Sequence, residues 1–392
     1  MHYAPITKRL AGLGSDKWAL HAAAQTRRAQ GKEVINLTIG EPDLPTPPEL
    51  IETAARAMHG GRTGYSNGRG ETDLLRVLSD TYSAKLNRYI SHDRFLCLPG
   101  TQTSLYLAFM TVCEPGCEVI VGDPMYASYE ALIRAAGATP VPVALRPEAG
   151  FRLQAQDVAR HVTPATRAIF LNTPHNPTGA VLTPEDLRAL CDLAARHDLW
   201  VISDEVYQDL THDGVPFTSA LADPAQEERV VIAASISKSH AAPGFRSGWL
   251  CASEDFCRRA LPVSETMLFG SQPFIADMTA QALREPPTVA QAMAARMARR
   301  ARLIHDRLDG IAGLRVHRPQ AGMFALLDIR ALSANSQRFA LALLDATGVA
   351  VMPGASFGQA LEGWLRIALN APDEVTAEAC ARIAGFARQE AA

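Results

Sequence analysis

Between about residues 95 and 250 the chain alternates short, almost wholly apolar runs with longer segments whose apolar positions recur at helical spacing. "EVIVGDP" precedes "MYASYEALIRAAG", "AIFLNTP" precedes "TPEDLRALCDLAARHD", and "LWVISDE" and "RVVIAAS" follow. Runs of this length, separated by helix-length segments, predict a buried, mostly parallel sheet with crossover helices, an α/β architecture. In such sheets ligands gather beyond the carboxyl ends of the strands. Asn172, Asp204 and Ser235 all fall at those ends.

The pattern then changes. "PPTVAQAMAARMARRARLIHDRLDG" is rich in Ala, Arg, Met and Leu and stops at Gly310, which predicts a long helix leading out of the sheet. Beyond it, "LRVHRP", "GMFALLDIR", "VAVMPG" and "WLRIAL" predict a small sheet closed by the helical tail "EVTAEACARIAGFARQEAA". The expected organisation is a large domain over residues 41–280 and a smaller α+β domain built from residues 1–40 and 281–392.

Composition narrows the function classes. At 392 residues, 47% hydrophobic and 20% charged, the chain has the make-up of a globular protein with a sizeable core. A net charge of −3 with no basic stripe argues against nucleic acid as a partner. The seven cysteines show neither metal-ligand spacing nor a disulfide framework, so they read as reduced packing residues and no metal site is expected. The first residues lack the apolar stretch of a signal peptide, and no segment approaches the roughly 18 apolar residues of a membrane span. A cytoplasmic location without membrane contact is expected.

The candidate chemistry lies in the polar residues around the predicted strand ends: "LPGTQTSL", "DPMYASY", "NTPHNPTG", "SDEVY" and "SISKSHAAPGFRSGW". Singly, each has a structural reading. Asp204 could cap a helix, Asn176 could start a turn before Pro177, Gly100 could bend the chain, and Lys238 could be solvated. Together they supply what a pyridoxal phosphate enzyme needs. There is an amine for the imine, an acid to keep the pyridine nitrogen protonated, donors for the ring hydroxyl, and hydroxyls with an arginine for the phosphate.

From about Ile35 to Asn370 the chain resembles the fold type I, class I/II pyridoxal phosphate-dependent aminotransferases. The motifs that carry the likeness are "NPTG" at 176–179, "SDEVY" at 203–207, "SISK" at 235–238 followed by "GFRSGW", and "LRIALN" at 365–370. The resemblance implies that Lys238 is the Schiff-base lysine and proton carrier, with Asp204 at the pyridine nitrogen. It implies that Asn176 and Tyr207 face the ring hydroxyl, and that Ser235, Ser237 and Arg246 hold the phosphate with Gly100, Thr101 and Gln102. Tyr126 is the expected ring-stacking aromatic, its alternative role being an ordinary core residue. Tyr65 matches a tyrosine that reaches the neighbouring subunit's phosphate, which implies a homodimer with shared sites. Arg366, with Gly40 and Asn176, matches the clamp on the substrate's α-carboxylate, and Trp18 lies where some relatives place a substrate contact.

A clamp on the carboxylate leaves the Cα–H bond free to break, so transamination of an L-amino acid with a 2-oxo acid such as pyruvate or 2-oxoglutarate is expected rather than decarboxylation. The stretch "LFGSQPFIA" offers no second arginine for a side-chain carboxylate. "EPGCEVIVGDPMYASYEA", "TPHNPTGA" and "GMFALLDIR" are most similar to arginine–pyruvate type members, which points to a basic or neutral donor. Pro243 and Phe245 depart from the family's usual threonine and tryptophan. Donors such as aspartate or aromatic amino acids stay open, as does β-elimination from cysteine conjugates. An aminotransferase-like regulator would need a DNA-binding module for which there is no room before Ile35.

Overall fold

The computed structural model describes residues 1–392, apart from the side chains at positions 15 and 16. Twelve strands follow in chain order: β1 (Ile35–Leu37), β2 (Phe95–Leu98), β3 (Glu118–Asp123), β4 (Thr139–Ala144), β5 (Thr166–Asn172), β6 (Trp200–Asp204), β7 (Val230–Ser235), β8 (Gly248–Cys251), β9 (Arg315–His317), β10 (Phe324–Asp328), β11 (Val349–Pro353) and β12 (Trp364–Ala368). They form a seven-stranded sheet in the order β2-β8-β7-β6-β5-β3-β4 and a five-stranded sheet in the order β1-β11-β12-β10-β9.

In the large sheet β4, β3, β5, β6 and β7 are parallel neighbours, whereas β8 runs antiparallel to both β7 and β2. The sheet is therefore α/β and mostly parallel, with two reversed pairings at one edge. Every residue of β7 is buried, as befits a strand covered on both faces. One face packs under the helix Gly100–Val112, where Leu105, Phe109, Phe170 and Val231 share an apolar cluster. The opposite face is covered by helices such as Pro184–Arg196, whose start is fixed by a reciprocal capping box between Thr183 and Asp186 and by Pro184 at its first position.

The second sheet has its own core, in which Leu327, Val351 and Ile367 meet Met297 and Ile304 of the helix Thr288–Leu308 and Ile383 of the closing helix Asp373–Glu390. That long helix ends at Leu308, and Gly310 follows at φ +80°. The N-terminal strand β1 joins this sheet, parallel to β11. Its next residues, Thr38 to Glu41, then run back to the mouth of the large sheet, so the site described below lies where the two sheets meet.

Candidate active site

Strands β5 and β6 end side by side, with Asn172 opposite Asp204, and Asp204 in turn lies opposite Ala233, two residues before β7 ends. Asp204 is buried, and both of its partners are uncharged. Oδ2 accepts from the Tyr129 hydroxyl at 2.8 Å and Oδ1 from the Val206 N–H at 3.1 Å. Burial pushes its carboxyl up to about 6, against the opposing pull of these bonds and of Lys238. Asn172 shapes the adjoining loop: its amide donates to the carbonyls of Asp204 and Pro174, and its Oδ1 accepts from the Asn176 N–H at 2.8 Å.

Strand β7 passes at Ser235 into a single helical turn, Ile236–Ser239, whose start is capped by the Ser235 hydroxyl accepting from the Ser237 N–H. That turn aims Lys238 back across the strand ends, where Nζ donates to the Gly40 carbonyl at 3.0 Å. Burial first, then the Arg366 and Arg246 charges, lower the lysine to about 8, while Glu41 and Asp204 work the other way. An amine at that value is partly unprotonated near neutral pH, as a nucleophile or base must be.

The far end of the cavity is built by the start of the helix Gly100–Val112. Gly100 sits at φ +82°, and a Cβ there would collide with the Arg246 guanidinium. Only glycine lets the arginine lie against the helix N-terminus. The guanidinium donates to the carbonyls of Pro243 at 2.8 Å and Pro99 at 3.4 Å. The Thr101 hydroxyl is buried there without a partner. Gln102 turns its Oε1 to the Ser128 hydroxyl at 3.0 Å. A helix N-terminus, an arginine and an orphan hydroxyl make an anion site, and a phosphate fits this donor set.

A second anion position lies at the other side of the cavity. Arg366, in β12, is 1% exposed and, among the described residues, pairs with no carboxylate. Nη2 donates to the Thr38 carbonyl at 2.6 Å, Nη1 to Asn176 Oδ1 at 3.1 Å, and Nε has no partner. The guanidinium is held flat between the rings of Phe324 (3.8 Å) and Phe357 (4.2 Å). Burial lowers it to about 9, with the Tyr207 and Tyr126 hydroxyls pulling it back up. Three successive carbonyls thus receive the site's side chains: Thr38 from Arg366, Ile39 from Asn370 and Gly40 from Lys238.

The cavity has a volume of about 320 Å³. Lys238, Asp204, Asn176, Tyr207, Tyr126, Ser235, Ser237, Thr101, Gln102, Arg246, Arg366, Gly40 and Trp18 all border it, so thirteen positions named from the sequence converge on one place. Gly100 lies just behind Arg246. Trp18 meets Tyr126 edge-on at 6.4 Å, and Tyr126 meets Tyr129 at 5.5 Å. Tyr65 is not in this group: it is 90% exposed and stacks on Phe269, itself 62% exposed, at 4.8 Å. Sequence reasoning missed Tyr129, Glu41, Thr38, Phe324 and Phe357. Tyr129 opens the helix Tyr129–Ala135, and its bond to Asp204 joins segments far apart in the chain, which no local pattern marks.

Comparison with known proteins agrees with this geometry. The family description "Aminotransferase class I and II" matches residues 32–383. The chain is 40% identical over 384 residues to the arginine–pyruvate transaminase AruH of Pseudomonas aeruginosa, covering 98% of each. It is 32% identical over 369 residues to the aspartate/prephenate aminotransferase of Thermus thermophilus, covering 93% of this chain and 94% of that one. Among solved structures, the Thermus thermophilus aspartate aminotransferase with maleate superposes with a TM-score of 0.91 at 30% identity, over 98% of this chain and all of that one. The aromatic aminotransferase of Pyrococcus horikoshii does so with a TM-score of 0.88 at 30% identity, over 93% and 99%. With fold, cavity and sequence in agreement over nearly its whole length, the chain belongs to the class I and II aminotransferase family.

Proposed function

We propose that this chain is a pyridoxal phosphate-dependent aminotransferase that takes its amino group from an L-amino acid with a basic or neutral side chain and passes it to pyruvate or 2-oxoglutarate. One observation carries the reading. A single cavity holds a lysine lowered to about 8, a buried carboxyl, and two arginines, one at each end, without carboxylate partners among the described residues.

Bound there, pyridoxal phosphate supplies an aldehyde that captures amines and a pyridine ring that accepts electrons from the substrate's Cα. Arg246, the Thr101 hydroxyl, Ser235, Ser237 and the N-terminus of the helix Gly100–Val112 would hold its phosphate, and Tyr126 would face its ring. Asp204 would keep the ring nitrogen protonated, its carboxylate aimed by the bond from Tyr129. Asn176 and Tyr207 would serve the ring hydroxyl as donors. Arg366 grips the substrate's α-carboxylate, exchanging neutral acceptors for a charged one. With the carboxylate held, the Cα–H bond is the one left free, and Lys238 Nζ moves that proton.

The donor assignment draws on two supports: Arg246 and Arg366 are the only arginines bordering the cavity among the described residues, and AruH is named for arginine. The exposed pair Tyr65 and Phe269 supports a homodimer in which a second copy covers them and Tyr65 serves the neighbouring site. The test is a half-reaction screen, in which purified holoenzyme is mixed with single amino acids and the loss of cofactor absorbance is followed. Faster reaction of arginine or lysine than of alanine or phenylalanine would narrow the donor to the basic class, and a preference for aspartate or glutamate over all four would overturn the donor assignment. Lys238→Ala should retain cofactor and lose turnover. Pyruvate and ammonia appearing without a 2-oxo acid would instead indicate β-elimination.

A further inference from the structure

Glu41 lines the active cavity and also borders a second, polar cavity of about 510 Å³, with which the active cavity shares Glu41 and Ile39 as walls. The outer cavity is bordered by His21, Gln25, Arg28, Asn36 and Asn370. Glu41 is exposed and makes no ion pair among the described residues, although 29 such pairs occur elsewhere in the chain. The active cavity is therefore bipolar. An unpaired cation, Arg366, stands buried at the inner end, and an unpaired anion, Glu41, stands at the seam that leads outward.

We propose that Glu41 is a specificity-determining residue that receives the cationic end of a long amino donor, a guanidinium or ammonium, while Arg366 holds its α-carboxylate. The inference rests on the α-carboxylate reading of Arg366 given above. A donor with one carboxylate and a distant cation matches both poles, and the Trp18 and Phe324 rings that line the same cavity suit its methylenes. The other charges facing the outer cavity do not compete for that place. Burial lowers His21, leaving it neutral at neutral pH, and Arg28 is an exposed cation that offers nothing to a guanidinium.

Two measurements test this. The first uses ligands that cannot react: 5-guanidinopentanoate, which is arginine without its α-amino group, and its uncharged isostere 5-ureidopentanoate, titrated calorimetrically into the holoenzyme. Wild type should favour the guanidino compound, and Glu41→Gln should reduce that preference roughly two- to fivefold, the range for an exposed charge pair. The second is the ratio of kcat/KM for L-arginine to that for L-citrulline, which should fall by the same factor in Glu41→Gln and stay unchanged in Arg28→Gln. Equal ratios in wild type and Glu41→Gln would overturn the role of Glu41 alone. Failure of both pentanoates to bind wild type would overturn the Arg366 reading with it.

Discussion

Arg300 and Arg366 are both buried, and their surroundings could hardly differ more. Arg300, in the helix Thr288–Leu308, donates to Asp43 at 2.7 Å, to Asp373 at 3.1 Å and to the Leu369 carbonyl at 2.8 Å. Its charge is neutralised where it stands, and the pair ties the segment after Gly40 to the second sheet. Arg366 has two neutral acceptors, two aromatic faces and an orphan Nε. A buried cation with no counter-charge is costly, and it persists only if something else is gained. The contrast separates a residue that holds the fold from one that waits for a ligand. Asp43, paired with Arg300, and Asp204, with two uncharged partners, repeat the same division among the acids.

Replacing each arginine by methionine is the sharpest way to break this comparison. Arg366→Met should lower kcat/KM roughly 10²- to 10³-fold, the cost of losing a buried, hydrogen-bonded charge contact, without lowering the melting temperature. Arg300→Met should do the opposite, costing up to about 3–5 kcal/mol of stability, because the buried Asp43 side chain keeps only the more exposed Arg296 at 3.5 Å. Steady-state kinetics and denaturant unfolding on both variants decide the matter, and matching effects would dissolve the distinction.

A smaller effect sharpens the comparison of the acids. In the cofactor-free protein Asp204 titrates near 6 rather than 3.8, so its folded form prefers the proton. The associated stability is fully present below about 3.8 and is lost as pH rises through about 6, a difference of about 3 kcal/mol. Unfolding midpoints measured between pH 4 and 7 should therefore fall with pH, and Asp204→Asn should flatten the slope. It should not abolish it, because Glu205, pushed up to about 7 by burial, contributes with the same sign.

The least effect is expected at Thr101. Its buried hydroxyl lacks a partner, so Thr101→Val should leave stability unchanged or slightly raised while weakening cofactor binding by about 1 kcal/mol. Fluorescence titration of the cofactor-free protein measures it.

Much of this site was legible in the chain because its residues lie in short motifs at strand ends, where local pattern and chemical type coincide. Asp204, Lys238 and Asn176 are of that kind. The parallel strands β3 to β7 were legible for a related reason, since uninterrupted apolar runs mark strands covered on both sides. The reversed direction of β8 was not, because "GWLC" reads the same in either direction. Nor were the partners. Tyr129 beneath Asp204, and Phe324 and Phe357 against Arg366, are set by packing between segments far apart in sequence, which spacing does not encode. The absence of a counter-charge at Arg366 was equally hidden, since it depends on every neighbour at once.

The run of carbonyls from Thr38 to Gly40 has a consequence for how this enzyme can change over generations. Main-chain oxygens are common to all amino acids, so exchanging the side chain of Ile39 cannot remove an acceptor. Adding or deleting one residue in that stretch would shift all three oxygens out of step together. Drift in residue identity at Ile39 thus spares the acceptors, while drift in length does not.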